Sequence, residues 1–436
     1  MTQSLVLRFY RPLALSWMFM AVEGPVSVAL IARRPDSQVN TAAFFVLMSL
    51  ALWIESPVID LLSTATTLAR NRQHFVVLTR FVQWVIAAVT CVHFLLAATP
   101  LYGFVTRSIL DLPPDVAAAA HLGMIVMIPW SGLIGWRRYL QGVLIRHGQT
   151  RLIGWGTGVR VAMMATAAWI LFHATEWPGI PIAATSLLCA VAAEALFIHL
   201  VSRKTVAQSL DHPERPDEAH LTMQRVAKFH LPLTATTMVM LMSGLVISAA
   251  LARAPNSVLS LAAWQVATTV LFLHRTIVFA LPEVVVALYR DSASAAVLRR
   301  FCIHVGLATS GSIVLFAVTG VDTLFFARGL GSQPETVATA HLAYMVGMLM
   351  PFLGALQSYV RGMLTAHHLT VARLHAVVVS MACLVAGLAV GVGLRWPGVV
   401  TAGLAMSFAM AAELWALTRN WRRGRARLDG ALPASV

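Results

Sequence analysis

Twelve times along this chain an apolar stretch recurs that is long enough, at ~20 helical residues, to cross a hydrocarbon core. The stretches fall near residues 12–32, 39–69, 75–99, 116–146, 152–174, 179–201, 232–252, 259–289, 297–319, 336–366, 371–394 and 397–418. Inside a bilayer no water is at hand to satisfy backbone N–H and C=O groups, so a spanning segment must satisfy them internally, as a helix does. The expected fold is therefore all-α and integral to a membrane, with twelve transmembrane helices. Composition agrees: 58% of the residues are apolar and 11% charged, too few polar atoms to cover a water-soluble surface.

The net charge of +14 is a matter of topology rather than of nucleic-acid binding, because the basic residues flank the apolar stretches instead of forming one stripe. Arg8, Arg11, Arg70, Arg72, Arg80, Arg146, Arg151, Arg203, Lys204, Arg225 and Lys228 fall on one side. Arg290, Arg299, Arg300 and the tail Arg419, Arg422, Arg423, Arg425 and Arg427 join them. The opposite loops hold only scattered charges such as Arg107, Asp111, Asp115, Glu176, Asp322, Glu335 and Arg395. The positive-inside rule then puts both termini in the cytoplasm, as an even number of crossings requires, and the expected location is the inner (plasma) membrane. Cys91, Cys189, Cys302 and Cys383 stand alone in apolar runs and read as packing residues, with neither a disulfide framework nor a metal site implied.

The chain is also a duplication. At a shift of 220 positions Arg33 meets Arg253, Pro35 meets Pro255, Arg70 meets Arg290 and Arg80-Phe81 meets Arg300-Phe301. Without a gap the same shift superposes Ala120-His121-Leu122 on Ala340-His341-Leu342, Tyr139 on Tyr359, Gly142 on Gly362, His147 on His367 and Thr150 on Thr370. At a shift of 219 Trp177-Pro178-Gly179 meets Trp396-Pro397-Gly398, and Glu194 meets Glu413. Six helices per copy is an even number, so both copies insert the same way and are expected to be related by a pseudo-twofold axis along the membrane normal. The expected division is a lobe at 1–202, a cytoplasmic connector at 203–228, a second lobe at 229–420 and a basic tail at 421–436. The first apolar stretch has a partner in the second copy, so it reads as a span and not as a removable signal.

Duplication sorts the charges. Those kept in both copies serve topology and packing, and long arginine side chains near helix ends snorkel to the headgroups. Mid-membrane charges in one copy alone need another reason. Glu23, beside a Gly24-Pro25 expected to kink the first helix, stands where the second copy has Ser243. Glu55 stands opposite Arg275 in the repeat, a pair that reads as a gate or as substrate-binding charges split by a substrate, or else as a permanent ion pair, and Asp60, after Pro57, stands opposite Ala280. These carboxylates are candidates for binding a proton or another cation, since neutralising a buried charge costs less than burying it. Arg137 and Arg138 occupy the positions of Gln357 and Ser358, and Arg361 that of Gln141. With His274 and Arg275 they read as a cationic lining for an anionic substrate, since guanidinium pairs with carboxylate or phosphate through two parallel hydrogen bonds. The paired His121, His147, His341 and His367, and Trp53, Trp84, Trp130, Trp136 and Trp264, read as interfacial or packing residues. G-x-x-x-x-G-K-[ST], H-E-x-x-H and G-x-S-x-G are all missing, so no enzyme activity and no cofactor is expected.

A duplicated six-helix unit carrying Tyr139-Leu-Gln-Gly142-Val-Leu144-Ile-Arg-His-Gly148-Gln-Thr150, with its echo at Arg361-Gly362-Met-Leu364 and Thr370, resembles the multidrug/oligosaccharidyl-lipid/polysaccharide (MOP) exporter superfamily. That superfamily includes the multidrug and toxic compound extrusion (MATE) proteins. Ser56-Pro57-Val-Ile-Asp60, together with Gly398-Val399 running to Ala412-Glu413, is similar to its progressive ankylosis branch, although that branch's long polar tail is missing. The resemblance implies an alternating-access secondary exporter with substrate in the cleft between two lobes. The branch implies organic and phosphate anions such as citrate, nucleotides and pyrophosphate. The expected partners are the lipid bilayer, a small anionic substrate and a proton or other cation, with the chain acting as a monomer. A flippase for a lipid-linked saccharide, cationic multidrug efflux and a non-transporting membrane scaffold are the alternatives.

Overall fold

The computed structural model describes residues 2–211, 220–367 and 371–430. Thr370, part of the connector (212–219) and the end of the tail (431–436) lie outside the described residues. The described chain is helical throughout, without a strand. Eleven helices are long and apolar enough to cross a membrane. In the first half these are α1 (Gln3–Ala32), α2 (Ser37–Leu68), α3 (Arg72–Ala98), α5 (Thr150–Ala174) and α6 (Gly179–Gln208). In the second half they are α7 (Met223–Ala252), α8 (Ser257–Leu288), α9 (Ser292–Thr319), α10 (Pro334–Ala366), α11 (Arg373–Gly393) and α12 (Gly398–Gly424). A pair of helices, Pro114–Val126 and Trp130–Arg146, bent by 49° and together denoted α4, passes the same test as one broken span, for up to twelve among the described residues.

The duplication reaches into local geometry. Asp36 and Asn256, one residue before α2 and α8, both take the left-handed conformation that short polar side chains tolerate (φ 52° in each). Asn71 and Asp291 both cap the following helix, accepting from the backbone N–H of His74 at 2.9 Å and of Ser294 at 2.7 Å. Each copy has a π-helical turn before its fourth span, at Phe104–Ile109 and at Phe325–Gly329.

Prolines break the spans where their missing donor falls. Pro25 has no N–H for the carbonyl four residues back, and the first stretch of α1 duly ends at Ala21, with helix resuming at Glu23. Pro57 frees the Trp53 carbonyl, which takes the Ser56 hydroxyl at 2.7 Å instead, so the helix runs on to Ile59. Asp60, between the two stretches of α2, makes no capping hydrogen bond with its side chain.

Two compact units result, Met1–Pro25 with Arg253–Val436, and Val26–Ala252. They differ from the expected lobes at 1–202 and 229–420, because each half's first helix packs with the other half. In the first unit the Tyr10 hydroxyl donates to the Ile277 carbonyl at 2.6 Å and the ring meets Phe301 edge-on at 5.3 Å. Val6, Tyr10 and Ala14 thereby join a core with Val278, Leu281 and Leu298. In the second unit His230 of α7 lies 2.9 Å from the Thr64 hydroxyl and 5.3 Å from the Phe81 ring.

Close approach explains the paired glycines. A Cβ on Gly142 would lie 2.5 Å from the Leu62 carbonyl oxygen and 2.7 Å from Ala65 Cβ, and one on Gly362 would lie 2.6 Å from Val285 Cβ. Gly142→Ala and Gly362→Ala are each expected to cost about 1–3 kcal/mol, the range for forcing a methyl group into a packed interior. Heating the detergent-solubilised protein and following its monodisperse peak measures this, and unchanged midpoints would refute it.

Candidate functional site

Each unit holds a polar cluster around a buried glutamate on the fourth, fifth and sixth spans of its half. In the Val26–Ala252 unit the centre is Glu194 of α6, 1% exposed. Its Oε2 accepts from the Arg137 guanidinium and its Oε1 from Gln141 Nε2 at 3.1 Å. Arg160 of α5 stands 3.6 Å from Oε2. In the other unit Glu413 of α12 accepts from Arg361, and Gln357 Nε2 donates to the Met410 carbonyl at 2.8 Å, with Glu413 Oε2 at 3.5 Å.

The two arrangements are the same device with two residues exchanged. Arg137 and Gln141 lie one helical turn apart on the same face of α4; at the equivalent places α10 has Gln357 and Arg361. Position by position Arg137 and Arg361 each look unique to one copy. In space both tie the fourth span of a half to a glutamate on its sixth, so this ion pair is present in both copies.

What is unique to the first copy surrounds Glu55. That carboxylate, 4% exposed, accepts from the indole N–H of Trp130, a residue read from sequence as packing. The repeat positions are Arg275 and Met350, so donor and acceptor are absent together from the second copy. Arg138 lies in the field of Glu194, Glu55 and Asp60 yet makes no ion pair or hydrogen bond among the described residues. Its Nε, the Arg137 Nε and Asp60 Oδ2 are buried without partners, and Asp60 stands beside Thr237 of α7. Three guanidinium groups here face three carboxylates, Glu55, Asp60 and Glu194.

Around Glu413 the balance differs. Arg361, Arg275 of α8 and Arg373 of α11 all act on this one carboxylate. Arg275 has no ion-pair partner among the described residues, its guanidinium carbon lying 5.8 Å from the centre of the Phe279 ring. Arg373 reaches the Thr365 hydroxyl at 3.4 Å. Three cations to one anion leave an excess of two positive charges.

Two sequence candidates lie away from these clusters. His274 is turned into packing: its Nδ1 faces the Val270 carbonyl at 3.0 Å and its ring meets Phe316 and Tyr344 edge-on. Successive helical residues point about 100° apart, so a side chain next to Arg275 in sequence need not share its surroundings. Glu23, 9% exposed, opens the second stretch of α1, where a helix N-terminus favours negative charge, and the adjacent Gly24 faces Thr269 of α8. Of the paired histidines, His147 and His367 bond carbonyls of their own helices at 2.9 Å, whereas His341 meets the buried Asp322 at 2.6 Å and His121 stacks on Tyr102. Among the described residues no group of three His, Cys, Asp or Glu side chains is placed to hold a metal ion.

Comparison with solved structures now decides the fold. An inward-facing multidrug resistance MATE family transporter of the MOP superfamily superposes with a TM-score of 0.72 at 12% identity, covering 100% of both chains. This chain has the MATE fold. A MOP superfamily transporter from Pyrococcus furiosus, described as having a binding pocket of reverse polarity, matches at 0.69 and 14% identity over 98% of this chain and 96% of that one. The lipid II flippase MurJ in an inward closed conformation matches at 0.69 and 13% identity over 95% of this chain and 90% of that one. No protein-family model and no curated protein matches the sequence. The expected all-α integral membrane fold is thus observed, and the MOP resemblance holds at the level of fold.

Proposed function

We propose that this MATE-fold chain is an alternating-access secondary exporter of an organic or phosphate-bearing anion. The observation that carries the reading is the excess of guanidinium over carboxylate at Arg275, Arg361, Arg373 and Glu413. A partly buried excess of positive charge favours an anion that offsets it, and planar guanidinium groups suit carboxylate and phosphate. The solved neighbour described as having a binding pocket of reverse polarity is consistent with pocket charge varying within this fold. The substrate contacts are Arg275 and Arg361 with Arg373, and Arg137 and Arg138 act through the acidic cluster that balances them. The working form is a monomer in the inner membrane with both termini cytoplasmic, as the basic ends of the spans require.

Coupling to a proton or another cation falls to Glu23, Glu55 and Asp60, the mid-membrane acids that the second copy lacks. Glu23→Gln is expected to abolish gradient-driven efflux from proteoliposomes while leaving the fold intact; unchanged efflux would remove Glu23 from the mechanism. The general reading is tested by an efflux screen with organic anions, pyrophosphate and cationic dyes side by side. Anion efflux supports it, and efflux of dyes alone overturns it.

The likeness to a lipid II flippase supports a second reading, translocation of a lipid-linked saccharide whose phosphates meet the same arginines. Transfer of a fluorescent polyprenyl-phosphate sugar between leaflets, without efflux of any soluble anion, would favour it.

A further inference from the structure

The end of α12 carries a groove that transport does not use and that topology explains only in part. It has a volume of ≈ 490 Å³, a floor that includes Ala411, Leu414 and Trp415, and a rim of Arg419, Arg422 and Arg423. No acidic side chain lines it. The helix buries its opposite face, with Ala416 at 1% and Leu417 at 0% exposure, and leaves Trp415 58% exposed. The guanidinium carbon of Arg419 lies 5.2 Å from the centre of the Trp415 ring, within cation–π range.

Depth gives the groove its chemistry. At 1.5 Å per residue Trp415 lies about 26 Å along the axis from Gly398 and Arg422 about 36 Å, against a hydrocarbon core about 30 Å thick. The apolar floor is then at acyl-chain level and the arginines at headgroup level.

The internal repeat separates a site from an ordinary basic helix end. At a shift of 219, Arg422 and Arg423 meet Arg203 and Lys204, so both sixth spans end in the pair of cations that orientation requires. Trp415 and Arg419 meet Leu196 and Leu200. The tryptophan and the extra arginine belong to the second copy alone, and they are the pair in contact.

We propose that this groove binds an acidic phospholipid, with an acyl chain along Ala411, Leu414 and Trp415 and its phosphate held by Arg419 and Arg422. The occupant is amphipathic because the groove is, and anionic because three arginines share it without a carboxylate. Arg419, stacked on the indole, is held ready for the phosphate, Arg422 joins it there, and Arg423 supplies field.

The test is native mass spectrometry of the full chain titrated with phosphatidylglycerol or phosphatidylcholine. Wild type should retain phosphatidylglycerol in preference to phosphatidylcholine. Trp415→Leu combined with Arg419→Leu, which installs the residues of the first copy, should weaken that retention at least about fivefold, the factor that about 1 kcal/mol per arginine near an anionic surface is worth. Arg203→Ala with Lys204→Ala, which removes two charges from the other sixth span, should leave the tightest-bound lipid in place. Arg419→Gln serves as the milder variant if the double leucine change prevents folding. Equal retention of both lipids, equal loss in the Arg203/Lys204 control, or displacement by inorganic phosphate alone would each overturn the proposal.

Discussion

Glu194→Ala is expected to destabilise the protein by about 3–5 kcal/mol, the cost of leaving a buried charge without its partner. Arg137, 3% exposed, would lose its counter-ion, and Gln141 and Arg160 would lose the acceptor they share. The measurement is loss of the monodisperse peak on heating in detergent, at a temperature well below that of wild type. Two companions separate the ion pair from a simple loss of packing. Arg137→Gln with Gln141→Arg reproduces the order that the second copy uses, and it should remain close to wild type because the glutamate still meets one guanidinium and one amide. Arg137→Gln alone should fall between the two. A swap variant as unstable as Glu194→Ala would show that the clusters are not equivalent.

Arg275→Glu is expected to abolish anion efflux, by more than about 100-fold, without lowering thermal stability. Charge-assisted hydrogen bonds contribute about 1.5–3 kcal/mol each, and a bidentate contact supplies two. Reversing the sign also removes the positive excess that draws an anion to the cluster. Stability should hold because Arg275 makes no ion pair among the described residues, and Arg361 and Arg373 remain to offset Glu413 and the new carboxylate. Arg275→Lys should keep a fraction of the activity, since an ammonium provides the charge but not the planar fork. A loss of stability in parallel with efflux would assign Arg275 to the fold, and intact efflux would remove the anion site.

Position by position, the internal repeat separates charges of one copy from charges of both. It isolated Glu55, Asp60, Arg138 and Arg275, which do distinguish the clusters of the two units. It also set Arg137 and Arg361 apart because each faced a glutamine at its own repeat position. A helix repeats its face every three to four residues, so a function can move one turn along it without leaving its partner. Comparing faces instead of positions, and asking what Glu194 and Glu413 pair with in both copies, would have found the exchange. Arg160 and Arg373 carried no such signal: they sit at unrelated places on the fifth spans and come together with the glutamates only through packing. Trp130 looked like any other tryptophan of an apolar helix until Glu55 lay against its N–H.

The sequence by itself determined the solvent, the duplication and the places where prolines interrupt helices. Each of these follows from local physics: the length of an apolar run, the period of a helix, the missing donor of Pro25. Only the tertiary structure decided that each half's first helix packs with the other half, and that the two clusters carry different net charge. Those depend on which distant helices meet, and lipid-facing and protein-facing apolar residues are written in the same alphabet. In water hydrophobicity marks the buried face of a helix; in a bilayer it does not, so partner choice is set by close-packed glycines such as Gly142 and by buried polar pairs such as Arg137 and Glu194, whose two members lie on separate helices.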